Sequence, residues 1–291
     1  MHAAAPLRPR EKWPEKLRLA GSVRSLGECL SGVPFPDVRE NAGNFAHLPP
    51  RLRTALNPNP HKAMNAQGKF RAVCFDCDST LSRLEGIDEL ASRYGRKSEV
   101  ADLTEAAMNG SLSIDDVYAK RLSIVRPDRE AVAWLGERYV EELVPGASET
   151  IEALRRLGKE VYVVSGGLLP SVRHLAQVLA IPSSHVYAVS IEFDANGAYR
   201  GFDQGSPLPR ADGKAVVCRE LAERHGAIAM VGDGMTDVAA RAGGAYVIGF
   251  GGVAYRETVA MGADCYVAHA ELTATLEPLL SEEERKALAL M

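Results

Sequence analysis

The sequence predicts an α/β protein: a doubly wound parallel sheet with a small helical cap inserted after its first strand. Three observations carry that expectation. From Arg71 onward, short β-rich apolar runs alternate with helical patterns, the spacing of βαβ units. The alternation is interrupted once, over residues 86–143, by successive helical patterns with no strand between them. Acidic residues stand directly after two of the apolar runs, where an open α/β sheet binds its ligands.

Residues 1–63 form an N-terminal extension set apart by composition. Nine of the 16 prolines fall before residue 61, and apolar periodicity there is weak. Residues 1–70 carry 11 Lys and Arg against 5 Asp and Glu, whereas the rest of the chain carries 23 against 33. The pattern allows a short helix around Lys16–Leu30 and a start at Met64. RAVCFD then opens the core as its first strand, and EVYVVS, AIAMVGD, AYVIGF and DCYVA supply the others. SETIEALRRLG, LPSVRHLAQVLA and KAVVCRELAERHG are the helices between them. VYAVSIEFDANGAYRGF reads as a β-hairpin turning at Asn196-Gly197. Residues 70–85 and 144–280 are thus expected to form the catalytic core, 86–143 a cap over the sheet's carboxyl edge, and 281–291 a C-terminal helix or tail.

Composition excludes several classes of function. A 46% hydrophobic and 25% charged chain is ordinary for a soluble globular protein. The net charge is −4, and no basic run points to nucleic acid or an anionic membrane surface. No apolar run reaches the 18 or so residues a spanning helix needs. Cys74 and Cys77 make a lone C-x-x-C, and no second pair completes a zinc site. Together with Cys29, Cys218 and Cys265 they read as buried thiols in a reduced, cytoplasmic compartment. An organellar address in residues 1–63 is disfavoured by their acidic residues and only three serines.

The chemistry-bearing residues lie at strand ends. Asp76 and Asp78 close the first strand; Asp233 and Asp237 follow AIAMVG. Turn or helix capping accounts for Asp237 but not for the 76/78 pair. Carboxylates converging at one sheet edge call for a cation, and a sparse set of hard oxygens suits Mg²⁺. Ser165-Gly166-Gly167, between EVYVVS and a helix, offers backbone N–H groups as an anion cradle. Lys214, at the start of a helix, opposes the helix dipole unless an anion binds beside it. These parts match phosphoryl transfer, which depends on positioning and on charge facing the equatorial oxygens. One aspartate would attack phosphorus while the other, its pKa raised by crowding, shuttles a proton.

FDCDST, SGG, Lys214 and GDGMTD together resemble, in order, the four motifs of the haloacid dehalogenase superfamily, whose fold is Rossmann-like. The resemblance covers residues 71 to about 275. It implies that Asp76 is the nucleophile and Asp78 the general acid and base. Mg²⁺ would be held by the Asp76 carboxylate, the Asp78 main-chain carbonyl and Asp233, with Asp237 supporting that shell and Lys214. Ser165, Gly166, Gly167, Lys214 and Thr236 would hold the phosphate. STLSRLEGIDELA and AAMNGSLSIDDVYAKRLSIVRP are similar to the cap of the phosphoserine phosphatase branch. That likeness implies O-phosphoserine as substrate, Glu85 binding its ammonium, Met108 and Asn109 touching it, and Arg121 binding its carboxylate. Asn109 departs from the glycine common in that branch.

The helical neighbours of Arg121 at i±3 and i±4, namely Val117, Tyr118, Ile124 and Val125, are apolar, so these positions offer it no acid. The resemblance implies a Mg²⁺-dependent phosphoserine phosphatase completing serine biosynthesis, as a monomer or homodimer. The core motifs alone also suit another small-molecule phosphatase or phosphotransferase of the superfamily, or a catalytically silent phosphate-binding domain.

Overall fold

The computed structural model describes residues 68–108 and 114–290, the side chains of residues 104–108 and 114 excepted. The helix allowed around Lys16–Leu30 and the start at Met64 lie outside the described residues. In chain order the elements are β1 (Ala72–Phe75), α1 (Gly86–Arg93), α2 (Lys97–Met108), α3 (Ile114–Val125), α4 (Arg129–Glu141) and α5 (Ala147–Arg156). There follow β2 (Glu160–Leu168), α6 (Leu169–Val178), β3 (Val186–Val189), β4 (Ile191–Phe193) and β5 (Tyr199–Phe202). The last third holds α7 (Gly213–His225), β6 (Ile228–Gly232), α8 (Met235–Ala239), β7 (Tyr246–Phe250), α9 (Glu257–Gly262), β8 (Cys265–Val267), α10 (Leu276–Leu279) and α11 (Glu282–Leu290).

Six strands form one sheet in the order β3-β2-β1-β6-β7-β8, every pairing parallel. β1 is central and wholly buried, and its side chains alternate between two apolar layers. Val73 and Phe75 face a layer built with Leu135, Ile151, Leu154 and Leu175, from α4, α5 and α6. Ala72 and Cys74 face Val217, Cys218 and Leu221 of α7. Burial on both faces explains why these strands read as continuous apolar runs. The chain leaves β1 toward β2 on one side and returns to β6 on the other. The crevice at that reversal is where an open α/β sheet takes its ligand, and Asp76 and Asp233 are the first residues beyond the two strands.

Two local expectations change. The VYAV run is not a hairpin arm: as β3 it satisfies its backbone against β2 in the main sheet, and the hairpin is only β4 with β5. Ser165-Gly166-Gly167 does not lie between strand and helix. β2 continues to Leu168, with an irregularity in register between Val164 and Leu168 where the two glycines let the strand bend. None of the described helices is long and apolar enough to cross a membrane.

α11 is tied to the opposite end of the sheet by a half-buried acid. Glu284 accepts from Lys159 Nζ through Oε1, and through Oε2 from the Ser281 main chain at 2.8 Å. Lys159 is almost completely buried and also donates to the Phe70 carbonyl at 2.7 Å. Glu284→Ala leaves that ammonium the Phe70 carbonyl but no counter-charge, so we expect a loss of about 2–4 kcal/mol, slightly under the cost of breaking a fully buried pair. Urea denaturation measures it; a loss below about 0.5 kcal/mol would place α11 outside the cooperative unit.

Candidate active site

The Asp76 main-chain N–H donates to the Val231 carbonyl at 2.9 Å, extending the β1–β6 ladder one residue past the strand. Its carboxylate is thereby fixed at the sheet's carboxyl edge. Ser79 takes a positive φ of 50°, which turns the chain back directly after Asp78. From β6, Asp233 follows Gly232, and Asp237 closes the first turn of α8 by accepting from the Gly234 N–H through Oδ2 at 2.9 Å. A side chain on Gly232 would meet the Asp237 carboxyl carbon at 2.1 Å, so the strand end and the acid fit only because residue 232 is glycine. Lys214, on the first turn of α7, reaches between them: its Nζ is 2.8 Å from Asp76 Oδ1 and 2.6 Å from Asp237 Oδ1.

This cluster is strained electrostatically. Oxygens of Asp76, Asp233 and Asp237, all buried, lie within 4.8 Å of one another. Burial first, then the charge of Asp76, pushes the Asp233 carboxyl up to about 6. Burial raises Asp237 to about 7 even though Lys214 works against it. Asp78 is pushed well above the ordinary carboxylate range by burial, then by Glu85 and Asp76. Burial opposes the charge of Lys214, but Asp237 and Asp76 outweigh it and hold the ammonium firmly protonated. Lys214, even with Arg256 on Asp233, does not balance these acids. The cluster of hard oxygen donors fits a divalent cation, which would relieve their repulsion.

A cavity of about 260 Å³ opens above the cluster. Asp76, Asp78, Lys214, Asp233 and Thr236 line its base, together with the main chain of Gly166 and Gly167. Glu85, Tyr118, Arg121 and Leu122 line its other walls. Ser165 is fully buried and does not line the cavity; its Oγ accepts from the Gly167 N–H at 3.0 Å, shaping the bend from beneath. Met108 ends α2 with its side chain outside the described set, and Asn109 lies outside the described residues.

Three participants escape a reading of the sequence. Arg256, after β7, donates to Asp233 Oδ2 at 3.0 Å and reaches Glu85 Oε1 at 3.3 Å, joining the acid cluster to the far wall. Ser79 donates to the same Glu85 oxygen at 2.8 Å. Tyr139, fully buried on α4, donates to Asp78 Oδ1 at 2.6 Å. Only Arg256 carried a usable signal, because it follows IGFGG at the same carboxyl edge as the other strand ends.

Comparison with known proteins meets this geometry from outside. Residues 70–244 match the haloacid dehalogenase-like hydrolase family. Phosphoserine phosphatase of Mus musculus is 39% identical over 209 residues, covering 71% of this chain and 93% of that protein. The chloroplastic phosphoserine phosphatase of Arabidopsis thaliana is 39% identical over 197 residues, 66% of this chain and 67% of its own. Among solved structures, a phospho-aspartyl intermediate analogue of phosphoserine phosphatase superposes with a TM-score of 0.60 at 27% identity, over 72% of this chain and 99% of that one. A substrate-bound phosphoserine phosphatase complex gives 0.61 at the same identity, over 72% and 99% of the two chains. Motifs, sheet order and overall likeness agree, and the chain belongs to the haloacid dehalogenase-like hydrolases and, within them, to the phosphoserine phosphatase family.

Proposed function

We infer that the protein is a Mg²⁺-dependent phosphatase that hydrolyses O-phosphoserine to serine and phosphate, the last step of serine formation. One observation carries this reading furthest: a single small cavity joins the Asp76–Lys214 cluster to Glu85 and Arg121. The cluster suits a phosphoryl group. An acid and an arginine on the remaining walls suit the ammonium and carboxylate of an amino acid. Residues 86–143 act as the cap that carries Arg121 over the core, directly after Glu85, with Met108 and Asn109 at the same substrate.

In this reading a carboxylate oxygen of Asp76 attacks phosphorus as the bond to the serine oxygen breaks. The electron pair stays on that oxygen, which takes the proton held by Asp78. Water then attacks phosphorus and gives a proton to Asp78, and the bond to Asp76 breaks, restoring its carboxylate. Lys214, Thr236 and the Gly166 N–H hold the phosphoryl oxygens, with Ser165 and Gly167, joined by their own hydrogen bond, shaping the bend that presents them. A Mg²⁺ ion on Asp76, Asp233 and the Asp78 main-chain carbonyl, buttressed by Asp237, would supply neutralising charge and a Lewis acid. Cys74, Cys77, Cys218 and Cys265, all buried and in no disulfide, suit a reducing cytoplasm. The assembly is a monomer or homodimer.

The test is a panel of phosphomonoesters scored for phosphate release, with Mg²⁺ and after chelation. Phosphoserine should be the best substrate by at least an order of magnitude, and chelation should stop turnover. Mg²⁺ at about 100 times its Kd should stabilise the fold by ~2.7 kcal/mol, read as a higher Tm. Full activity after exhaustive chelation would refute the metal, and a phosphorylated sugar or nucleotide outpacing phosphoserine would refute the substrate.

A further inference from the structure

We propose that Tyr139 is the positioning residue of Asp78, fixing which carboxyl oxygen faces the substrate. The inference rests on the reading of Asp78 as proton donor. The Tyr139 hydroxyl donates to Asp78 Oδ1 at 2.6 Å, and the Gly86 N–H donates to the same oxygen at 2.8 Å. Asp78 Oδ2 accepts no hydrogen bond from the described residues, and Asp78 lines the cavity. An oxygen already accepting two donors is the poorer place for the acid's proton. That proton therefore belongs on Oδ2, the oxygen left for the substrate.

The plainer alternative is a core tyrosine whose hydroxyl takes whatever acceptor is near. The packing around the hydroxyl is more selective than that. A methyl on Gly86 would lie 2.1 Å from the hydroxyl oxygen and one on Gly167 3.4 Å from it. Space for the oxygen is thus left on one side by the start of α1 and on another by the bend of β2. Both donors to Oδ1 come from the inserted segment, Gly86 from its first helix and Tyr139 from its last. The acid is thereby aimed by the cap and not by the strand that carries it.

Leaving-group chemistry separates the two accounts. The serine alkoxide is a poor leaving group and needs a proton as the P–O bond breaks, whereas p-nitrophenolate leaves without one. kcat/KM reports only the steps through that cleavage, so later hydrolysis of the aspartyl-phosphate does not enter. Tyr139→Phe keeps the ring and removes the donor. It should lower kcat/KM for phosphoserine by ~10- to 100-fold, part of the 10²–10⁴ that general acid catalysis supplies, and for p-nitrophenyl phosphate by about threefold at most. Gly86→Ala, which drives a methyl into the hydroxyl's place, should give the same selective loss with the phenol still present. The ratio of two substrates on one preparation cancels differences in folded fraction. Equal losses on both substrates, or none on either, would overturn the proposal and leave Tyr139 a packing residue. Asp78→Asn is the control for the underlying reading: if it shows no selectivity for the poor leaving group, Asp78 is not the donor and both readings fall. A selective Asp78→Asn beside an unselective Tyr139→Phe removes the Tyr139 proposal alone.

Discussion

Asp76→Asn is expected to abolish phosphate release, by roughly 10⁵-fold or more, the scale on which removing an enzyme's nucleophile acts, and to leave the chain folded. An amide oxygen neither attacks phosphorus at a useful rate nor neutralises a cation as a carboxylate does. The fold survives because Asp76 is only one of two carboxylates paired with the buried Lys214. Lys214 keeps Asp237 at 2.6 Å, so the penalty of about 3–5 kcal/mol for orphaning a buried charge does not arise. Asp233, whose carboxyl is raised by burial and by the charge of Asp76, loses a like-charged neighbour. In metal-free buffer the variant should therefore be no less stable than the parent within the error of a urea titration. Intact mass of enzyme quenched during turnover should show a phosphate adduct on the parent and none on Asp76→Asn. Residual turnover within 10²-fold of the parent would mean that another group attacks phosphorus.

The fold and the centre of the site were legible in the sequence for related reasons. A doubly wound sheet buries its strands on both faces, so each strand announces itself as a short apolar run. The residue after such a run lies at a known edge. Asp76, Asp233 and, one turn further, Asp237 converge by that rule alone, and Lys214 stood out because its place on α7 contradicts the helix dipole. What stayed hidden depends on contacts far apart in the chain. Tyr139 lies 61 residues from Asp78 and Arg256 lies 171 from Glu85, and no local pattern encodes either pair. Tyr139 sits among the apolar positions of its helix and reads as core. The SGG bend was placed one element too late because glycines after a β-rich run usually end the strand, while here they carry an irregularity within it.

Arg121→Met should separate substrate choice from chemistry. The methionine keeps most of the length and apolar stem but removes the guanidinium that faces the cavity from α3. Glu85 is already engaged by Ser79 and Arg256, at 2.8 and 3.3 Å, so its contact with an ammonium should be largely unaffected. A phosphoserine carboxylate would then sit in a partly dry wall without its charged partner, at a cost of ~2–5 kcal/mol, several tens-fold or more in kcat/KM. p-Nitrophenyl phosphate carries neither carboxylate nor ammonium, and its turnover still has Asp76, Asp78, Lys214 and the metal. Its kcat/KM should fall far less. This pattern also differs from the one expected for Tyr139→Phe. Against a phosphomonoester lacking the carboxylate but keeping a poor alkoxide leaving group, such as phosphoethanolamine, Arg121→Met should lose little and Tyr139→Phe should still lose heavily. Equal losses for Arg121→Met on all three substrates would assign the guanidinium to the architecture of the cap, and the choice of an amino-acid phosphate would then have to come from Glu85 and Arg256.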